Sequence, residues 1–236
     1  MISTTEIKNC LAKEKSTVFK LNYTPEQKKC FKEFDIQKKQ TFSYYGKVND
    51  IDSTDFLAGI GNNSASSVKI LNSAIKQLAS EVCKGYGKNH AWIDIRITRP
   101  SKYFDIPRWH QDGPFFIANQ EEREQLQTKF ITSLKGPGTL MLNATKAEKQ
   151  AYLELSRNAK NLNHFFDIEY RKMVAEIFKH RKVHQLSNNQ GLIFVVGRDT
   201  ALIHSEPPMT ETRIFVSVLP GTESQIKALE TRWNRK

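Results

Sequence analysis

The sequence has no long hydrophobic run, which argues against a membrane-spanning helix. It also has few cysteines, which argues against a disulfide-stabilised fold. The longest apolar run in its second half, residues 192–196, is five residues long, whereas a helix that crosses a bilayer needs about 20. The first residues, Met1 to Glu6, contain neither the basic segment nor the apolar segment of a secretory signal. We therefore expect a protein that has no membrane span and stays in the cytoplasm.

The three cysteines are Cys10, Cys30 and Cys83. An odd number at long, irregular spacings forms neither a CxxC zinc pair nor a disulfide framework. We expect three reduced thiols with a structural role, as is usual in a cytoplasmic protein.

The chain of 236 residues is basic, with 36 Lys and Arg against 25 Asp and Glu and a formal net charge of +11. Its hydrophobic content of 39% is enough to bury a core, which excludes wholesale disorder. A basic protein can bind nucleic acid through the phosphates. Here, however, the excess is spread evenly, with 18 basic side chains in residues 1–118 and 18 in residues 119–236. Nucleic acid is therefore not the favoured partner, and an acidic small molecule would also suit this charge.

Hydrophobic periodicity predicts one long helix and one helical block. From Ser66 to Lys84 the apolar residues recur every three or four positions, which is typical of an amphipathic helix, and the glycines that follow end it. Residues 145–182 have a helical composition and interrupt a series of short strands. The first 60 residues are rich in Lys and irregular in period, and we interpret them as short helices and loops.

Short strands dominate the rest of the chain. The segment Trp92 to Thr98 alternates apolar and polar residues and is rich in β-branched side chains, so it is predicted to be a strand. Further strand-like segments, each bounded by Gly or Pro, are residues 129–134, 139–142, 192–196, 201–204 and 213–219.

The order of these elements predicts a single domain, 1–236, of the α+β class. A helix-rich region, 1–90, is expected to support a strand-rich core, 91–221. The helical block 145–182 is expected to be an insertion in that core.

Three features of the strand-rich part could carry chemistry. In an extended segment residues i and i+2 point the same way, so His110 and Asp112 can present an imidazole and a carboxylate to one metal ion. His204 ends a short apolar strand that two prolines follow, and Arg213 opens another strand nine residues later. Each feature alone has an ordinary structural explanation: a chance pair, a buried core histidine and a solvent-facing arginine.

Taken together, the features match a facial triad, in which two histidines and one carboxylate hold Fe(II) and leave three coordination positions open. An arginine beyond the distal histidine suits a bidentate partner for a dicarboxylate. At this point the sequence resembles the Fe(II)/2-oxoglutarate-dependent oxygenase superfamily, whose pattern is His-x-Asp, then His, then Arg or Lys shortly after. The resemblance covers residues 91–221, including the turn Gly136-Pro137-Gly138-Thr139 and the strand from Gly191 to Gly197. This order of elements is also similar to a small bacterial family of unknown function within that fold.

The resemblance implies a double-stranded β-helix (jelly-roll) core with flanking helices, and its site residues carry over one by one. His110, Asp112 and His204 would bind Fe(II). Arg213 would bind the distal carboxylate of 2-oxoglutarate, and Ser217, on the same strand face, would be a weaker second contact. The implied activity is that of a dioxygenase, which uses O2, decarboxylates 2-oxoglutarate to succinate and hydroxylates an unknown substrate, either a small molecule or a protein side chain.

Aromatic residues flank the first two ligands. Tyr103, Trp109, Phe115 and Phe116 are candidates for a substrate pocket. The same residues would equally suit the core of a jelly roll, which we slightly favour.

Other functions stay open from the sequence. A jelly roll that keeps its metal without turnover would be a non-catalytic binding module or a degenerate oxygenase, and an Arg213 side chain directed away from the metal would favour it. A nucleic-acid demethylase would suit the basic charge, but that subfamily has Arg-x-Asn-x-Thr-x-Arg where this chain has Phe215 for Asn and Leu219 for the second Arg. A second pair, His204 and Glu206, lacks a later histidine, and we interpret Glu206 as a loop carboxylate.

Overall fold

The computed structural model describes residues 4–12, 16–159 and 167–233. Its α-helices are α1 (Thr4–Ala12), α2 (Pro25–Glu33), α3 (Thr54–Ala58), α4 (Ala65–Gly85), α5 (Gln120–Glu124), α6 (Lys146–Asn158), α7 (Ile168–Ile177) and α8 (Glu223–Trp233). Its strands are β1 (Thr17–Lys20), β2 (Gln40–Lys47), β3 (His90–Thr98), β4 (Gln127–Lys135), β5 (Leu140–Leu142), β6 (Val183–Gln185), β7 (Gln190–Val196), β8 (Ile203–Ser205) and β9 (Arg213–Gly221). None of these helices is both long and apolar enough to span a bilayer.

The strands form two antiparallel sheets that face each other. The large sheet has the order β1-β7-β4-β9-β3-β2, and the small sheet has the order β6-β5-β8. The ring of Phe194 in β7 lies 4.8 Å from the ring of His204 in β8, centroid to centroid, so these two strands are in contact across the space between the sheets. This facing pair of antiparallel sheets agrees with the predicted jelly-roll core.

The two faces of the large sheet pack against different hydrophobic clusters. Because successive side chains of a strand point to opposite faces, β3 directs Ile93 and Ile95 into the same hydrophobic core as Leu71 and Ile75 of α4. The alternate residues of β3, among them Trp92, face the small sheet. Of the polar residues on this second face, Asp94 is buried, whereas the side chain of Arg96 is 41% exposed.

Helix α4 confirms the helix predicted over residues 66–84. Its N-cap is Ser64, whose hydroxyl accepts a hydrogen bond from the backbone N–H of Ser67 at 3.1 Å. Its last residue, Gly85, lies so close to α1 that a Cβ there would be 2.5 Å from Cδ1 of Ile7. The apolar stripe of α4 thus packs between α1 and the outer face of the large sheet.

The interpretation of the first 60 residues as helices and loops was wrong in one respect. This region supplies β1 and β2, which are the two edge strands of the large sheet. Strand β1 is four residues long with only Phe19 buried, and β2 is half-exposed without clean alternation. Their pairing with β7 and β3 stabilises them as strands, and periodicity could not reveal that pairing.

The predicted helical block 145–182 contains α6 and α7, and residues 160–166 of it lie outside the described residues. The block connects β5 to β6, which are neighbours in the small sheet. It is therefore an excursion between paired strands. Three further elements, α5, β6 and the C-terminal helix α8, were not predicted.

Candidate metal centre

Backbone pairing brings His110 and His204 side by side. The N–H of each residue donates a hydrogen bond to the carbonyl oxygen of the other, at 2.9 and 3.0 Å. Their imidazole rings are 4.2 Å apart, centroid to centroid. Two residues on, the carbonyl of Asp112 accepts a hydrogen bond from the N–H of Gly197 at 2.8 Å, which fixes the third residue against the turn after β7.

The three side chains converge on one point. One ligand atom from each of His110, Asp112 and His204 lies within 4.8 Å of the others. The Oδ1 atom of Asp112 is 3.8 Å from Nε2 of His110 and 3.9 Å from Nε2 of His204. Two imidazoles and one carboxylate at this spacing are the donor set of a facial triad for Fe(II), so these residues fit the metal that the resemblance implies.

Hydrogen bonds to the backbone orient both imidazoles. The Nδ1 atom of His110 is 2.7 Å from the carbonyl oxygen of Arg108, and Nδ1 of His204 is 3.2 Å from that of Leu202. A carbonyl oxygen only accepts, so in each ring Nδ1 carries the hydrogen and Nε2 keeps its lone pair. The lone pairs face Asp112, as metal ligation requires.

The electrostatics of the cluster favour the ligating protonation states. Burial alone raises the pKa of Asp112, but Lys129 and the two histidines outweigh it and hold that pKa far below the usual range. Burial and, to a smaller extent, His110 lower the pKa of His204 to about 4, although Asp112 opposes the change. At neutral pH the centre thus contains an ionised carboxylate and a neutral imidazole from His204, ready to bind a cation.

Lys129 is a site residue that the sequence analysis passed over. Its Nζ lies 3.2 Å from Oδ2 of Asp112 and within 5.3 Å of the ring centroids of Trp92 and Phe115. Since Lys129 contacts Oδ2, Oδ1 is the oxygen that faces the two histidines. No local pattern marks Lys129 as a buried cation, because β4 (Gln127–Lys135) contains several other polar residues.

Arg213 is buried and lacks a carboxylate partner among the described residues. Its Nε donates to Oγ of Ser133 at 3.1 Å, its Nη2 donates to Oγ1 of Thr139 at 3.0 Å, and its Cζ lies 4.6 Å from the ring centroid of Phe215. Burial, with a smaller contribution from Arg96, lowers the pKa of Arg213 to about 10, although Glu206 opposes the change. The guanidinium remains protonated at neutral pH, and a buried cation of this kind favours an incoming anion.

The turn that the sequence analysis singled out positions the partners of Arg213. Gly136 has a φ of +75°, and a Cβ there would be 2.2 Å from the carbonyl oxygen of Thr212. Only glycine fits this approach without strain. The close contact holds the Gly-Pro-Gly-Thr turn, and with it the hydroxyl of Thr139, against the start of β9.

One cavity of about 520 Å³ joins the metal centre to Arg213. It is lined by the three triad residues, by Arg213 and by Ile131 and Phe215 of the large sheet. Glu206, which was interpreted as a loop carboxylate, also lines it and accepts two hydrogen bonds from the guanidinium of Arg108. Despite burial, His110 and Arg108 lower the pKa of Glu206 to about 2, so it is a charged wall of this cavity.

Five other predicted site residues do not line this cavity, and one of them, Phe116, is buried in a hydrophobic cluster. Ser217 lies on the same face of β9 as Arg213, but it is buried and its hydroxyl has no hydrogen-bond partner in the described part of the chain. Trp109 and Phe115 are buried in hydrophobic clusters, in agreement with the core alternative. Tyr103 is 44% exposed, and its ring lies under the guanidinium of Arg171.

Further residues that the sequence analysis missed line the cavity from the far side: Lys39, Thr41, Arg96, Thr98, Arg108 and Trp233. They come from β2 and the residue before it, from β3, from the loop before the triad and from the end of α8. No local motif connects them, because only the pairing of β2 with β3 and the docking of α8 bring them to one place.

No protein-family model and no curated protein matches the sequence. Among solved structures, the Kdo hydroxylase KdoO, a non-heme Fe(II) alphaketoglutarate-dependent dioxygenase, is similar in its cobalt(II) complex. The TM-score is 0.53 at 12% identity, over 100% of this chain and 93% of the hydroxylase. The complex of the same enzyme with alphaketoglutarate and Fe(III) gives 0.52 at 11% identity, over 98% and 88%. The predicted jelly-roll fold is thereby confirmed: this chain has the fold of a non-heme Fe(II)/2-oxoglutarate-dependent dioxygenase.

Proposed function

We propose that this protein is an Fe(II)/2-oxoglutarate-dependent dioxygenase that hydroxylates a small molecule or a protein side chain. The observation that carries the proposal is the cavity in which a two-histidine, one-carboxylate cluster and the unpaired buried cation Arg213 lie together. The similar Kdo hydroxylase was crystallised with Fe(III) and alphaketoglutarate. A shared fold does not by itself assign an activity. The proposal therefore rests on the side chains that line the cavity of this protein.

Each group in the cavity has a distinct part in the proposed reaction. His110, His204 and Oδ1 of Asp112 would hold the metal ion, while Lys129 keeps Oδ2 occupied and the carboxylate correctly turned. Arg213 would bind the distal carboxylate of 2-oxoglutarate. When bound, Fe(II) and 2-oxoglutarate supply an oxidation in which O2 delivers one oxygen atom to succinate and one to a C–H bond of the substrate.

The surroundings of Arg213 favour this proposal over a non-catalytic metal-binding module. A structural arginine would be expected to pair with a carboxylate or to face solvent. Here the side chain is 3% exposed, and its hydrogen-bond partners among the described residues are two hydroxyls, Ser133 and Thr139. Both hydroxyls could also donate to the same bound carboxylate.

A nucleic-acid demethylase is less well supported. Phe215 stands where that subfamily has Asn, and its ring packs under the guanidinium of Arg213.

The proposed compartment is the cytoplasm, where thiols stay reduced. Within the described part of the chain, Cys10, Cys30 and Cys83 form no disulfide bond, and all three are buried.

An anaerobic titration with Fe(II) and then 2-oxoglutarate tests the proposal. Chelation of the iron by the keto acid should produce a visible charge-transfer band in the wild-type protein. His110→Ala and His204→Ala should abolish iron binding, and Arg213→Ala should retain iron but weaken 2-oxoglutarate by about 2–5 kcal/mol.

His184→Ala is the matched control, because His184 lies on the exposed strand β6 outside the cluster. It should leave the band unchanged. Absence of a band in folded, iron-supplied protein would favour the binding-module alternative. Unchanged iron affinity in both cluster variants would exclude the triad as the metal site.

A further inference from the structure

The walls of the cavity have an excess of positive charge. Five cationic side chains line it: Lys39, Arg96, Arg108, Lys129 and Arg213. The carboxylates that line it are Asp112 and Glu206. A concave site with one dominant sign of charge and apolar walls attracts ligands of the opposite sign.

Loading the site with the proposed cofactors does not remove this excess. The two positive charges of Fe(II) and the two negative charges of 2-oxoglutarate cancel, so the walls keep three more positive than negative charges. Asp94, behind Arg96, reduces the excess to two. The loaded cavity therefore remains attractive to a further anion, and the proposed co-substrate does not account for all its cations.

Arg96 is the cation best placed to bind that anion. Its Nε donates to Oδ2 of Asp94 at 2.5 Å, and Asp94 is itself held by the hydroxyl of Ser43 at 2.9 Å. Within the described residues the two Nη groups of Arg96 have no hydrogen-bond partner. Asp94 thus fixes one side of a planar guanidinium and leaves its other donors for a ligand, an arrangement that suits a carboxylate or a phosphate.

Strand pairing places further donors beside Arg96. Thr41 of β2 is the direct partner of Arg96 in β3. Thr98 shares a face of β3 with Arg96, because residues i and i+2 of a strand point the same way. Lys39 directly precedes β2, and all four residues line the cavity. This group, Lys39, Thr41, Arg96 and Thr98, is called the β2–β3 cation patch below. Lys39 is exposed, so the patch lies on the solvent side of the cavity.

We propose that the prime substrate is a small anionic molecule whose carboxylate or phosphate group binds the β2–β3 cation patch. This inference rests on the proposed function, and it adds the chemical class of the substrate. A cavity of about 520 Å³ has the volume of a small-molecule site. The patch orients the anionic end of the substrate, and the remainder of the molecule extends towards the metal centre.

Binding of inorganic phosphate to anaerobic protein loaded with Fe(II) and 2-oxoglutarate tests the inference, because the co-substrate then occupies Arg213. Calorimetry should detect one phosphate per chain. Arg96→Gln and Lys39→Met should each weaken it, the arginine variant by at least about tenfold, since a hydrogen bond to a charged group contributes about 1.5–3 kcal/mol. Acetate, titrated in the same way, distinguishes a general oxyanion site from one that needs a phosphate.

The matched controls lie beside the patch but outside the cavity. Lys38→Met removes the same charge one residue away, and Arg99→Gln removes an arginine that donates to the carbonyl of Gln37. Both should leave phosphate affinity unchanged. Arg96→Gln removes the partner of buried Asp94 and so carries a risk to folding, but Lys39→Met alters an exposed side chain and keeps the test decisive.

Two results would overturn the inference: equal phosphate affinity in wild type, Arg96→Gln and Lys39→Met, or displacement of 2-oxoglutarate by phosphate with loss of the charge-transfer band. The second result would assign Arg96 to the co-substrate site. If 2-oxoglutarate never binds, the proposed function fails separately. Metal-free Arg213→Met protein then still reports on the patch, since phosphate binding there should depend on Arg96 and Lys39.

Discussion

Replacing Arg213 by Met should weaken 2-oxoglutarate binding by about 2–5 kcal/mol without unfolding the protein. The guanidinium is buried, and its contacts among the described residues are the hydroxyls of Ser133 and Thr139 and the ring of Phe215. It therefore brings a positive charge into the core without a carboxylate at ion-pair distance. Methionine fills a similar volume along the same stem without the charge.

The magnitude follows from the pKa of Arg213, which burial lowers from 12.5 to about 10. A lowered pKa means that the folded state disfavours the protonated side chain, and at pH 7 the side chain is protonated in both states. The buried charge then costs about 3 kcal/mol of folding free energy. In the Met variant this cost disappears, but the two hydrogen bonds to Ser133 and Thr139 are also lost, which removes about 1 kcal/mol each of stabilisation. The free energy of unfolding of the ligand-free variant should thus lie within about 1 kcal/mol of wild type, whereas losing one partner of a buried ion pair costs about 3–5 kcal/mol.

Anaerobic urea unfolding with Fe(II), with and without 2-oxoglutarate, measures both effects. At about 100 times its wild-type dissociation constant the co-substrate should add about 2.7 kcal/mol to the unfolding free energy of wild type, and it should add less than about 1 kcal/mol to that of the variant. Arg99→Met, outside the cavity, is the control and should keep the full gain. If the ligand-free Arg213→Met variant loses about 3 kcal/mol or more of unfolding free energy, Arg213 has a carboxylate partner and the reasoning is refuted. If 2-oxoglutarate stabilises the variant as much as wild type, Arg213 does not bind 2-oxoglutarate.

Three further predictions concern the walls of the cavity. Lys129→Met should destabilise metal-free protein by about 3–5 kcal/mol, because it leaves the buried carboxylate of Asp112 without its lysine partner. In urea unfolding, Fe(II) should restore part of this loss. If Fe(II) restores none of it, Lys129 does not compensate the charge of Asp112 in the metal centre. Because the pKa of Glu206 is lowered to about 2, its stabilisation should be full above pH 4.5 and lost as pH falls towards 2, giving a stability difference between wild type and Glu206→Gln that shrinks over this range. Gly136→Ala should cost at least about 1–3 kcal/mol through strain at positive φ and the clash with Thr212; a neutral effect in thermal unfolding would refute the tight turn.

Local patterns in the sequence were sufficient for the features that depend on near neighbours. The alternation of side chains along an extended segment placed His110 and Asp112 on one side, and the three- and four-residue spacing placed the apolar stripe of α4. The structure brings these two residues together with His204, as the His-x-Asp and His pattern predicts. The turn at Gly136 likewise follows from residues that are adjacent in the chain.

Features that depend on pairing between distant segments were not predictable in this way. Strands β1 and β2 have weak patterns of their own, and they are strands because β7 and β3 offer backbone partners. Trp109 and Phe115 flank a ligand in the sequence, yet they pack into hydrophobic clusters away from the cavity. Proximity in sequence therefore did not identify the residues that line the cavity.

The sequence by itself determined the fold class, the long helix and the chemical types of the metal ligands, because each is encoded in short-range periodicity and residue identity. Only the tertiary structure decided which other charges share the cavity with them. Arg96 and Lys129 come from β3 and β4 of one sheet, Lys39 directly precedes β2, and all three face the same space because of the register in which these strands pair. A slip of one residue would turn each side chain to the opposite face, and that register is set by packing of the whole sheet rather than by any local pattern.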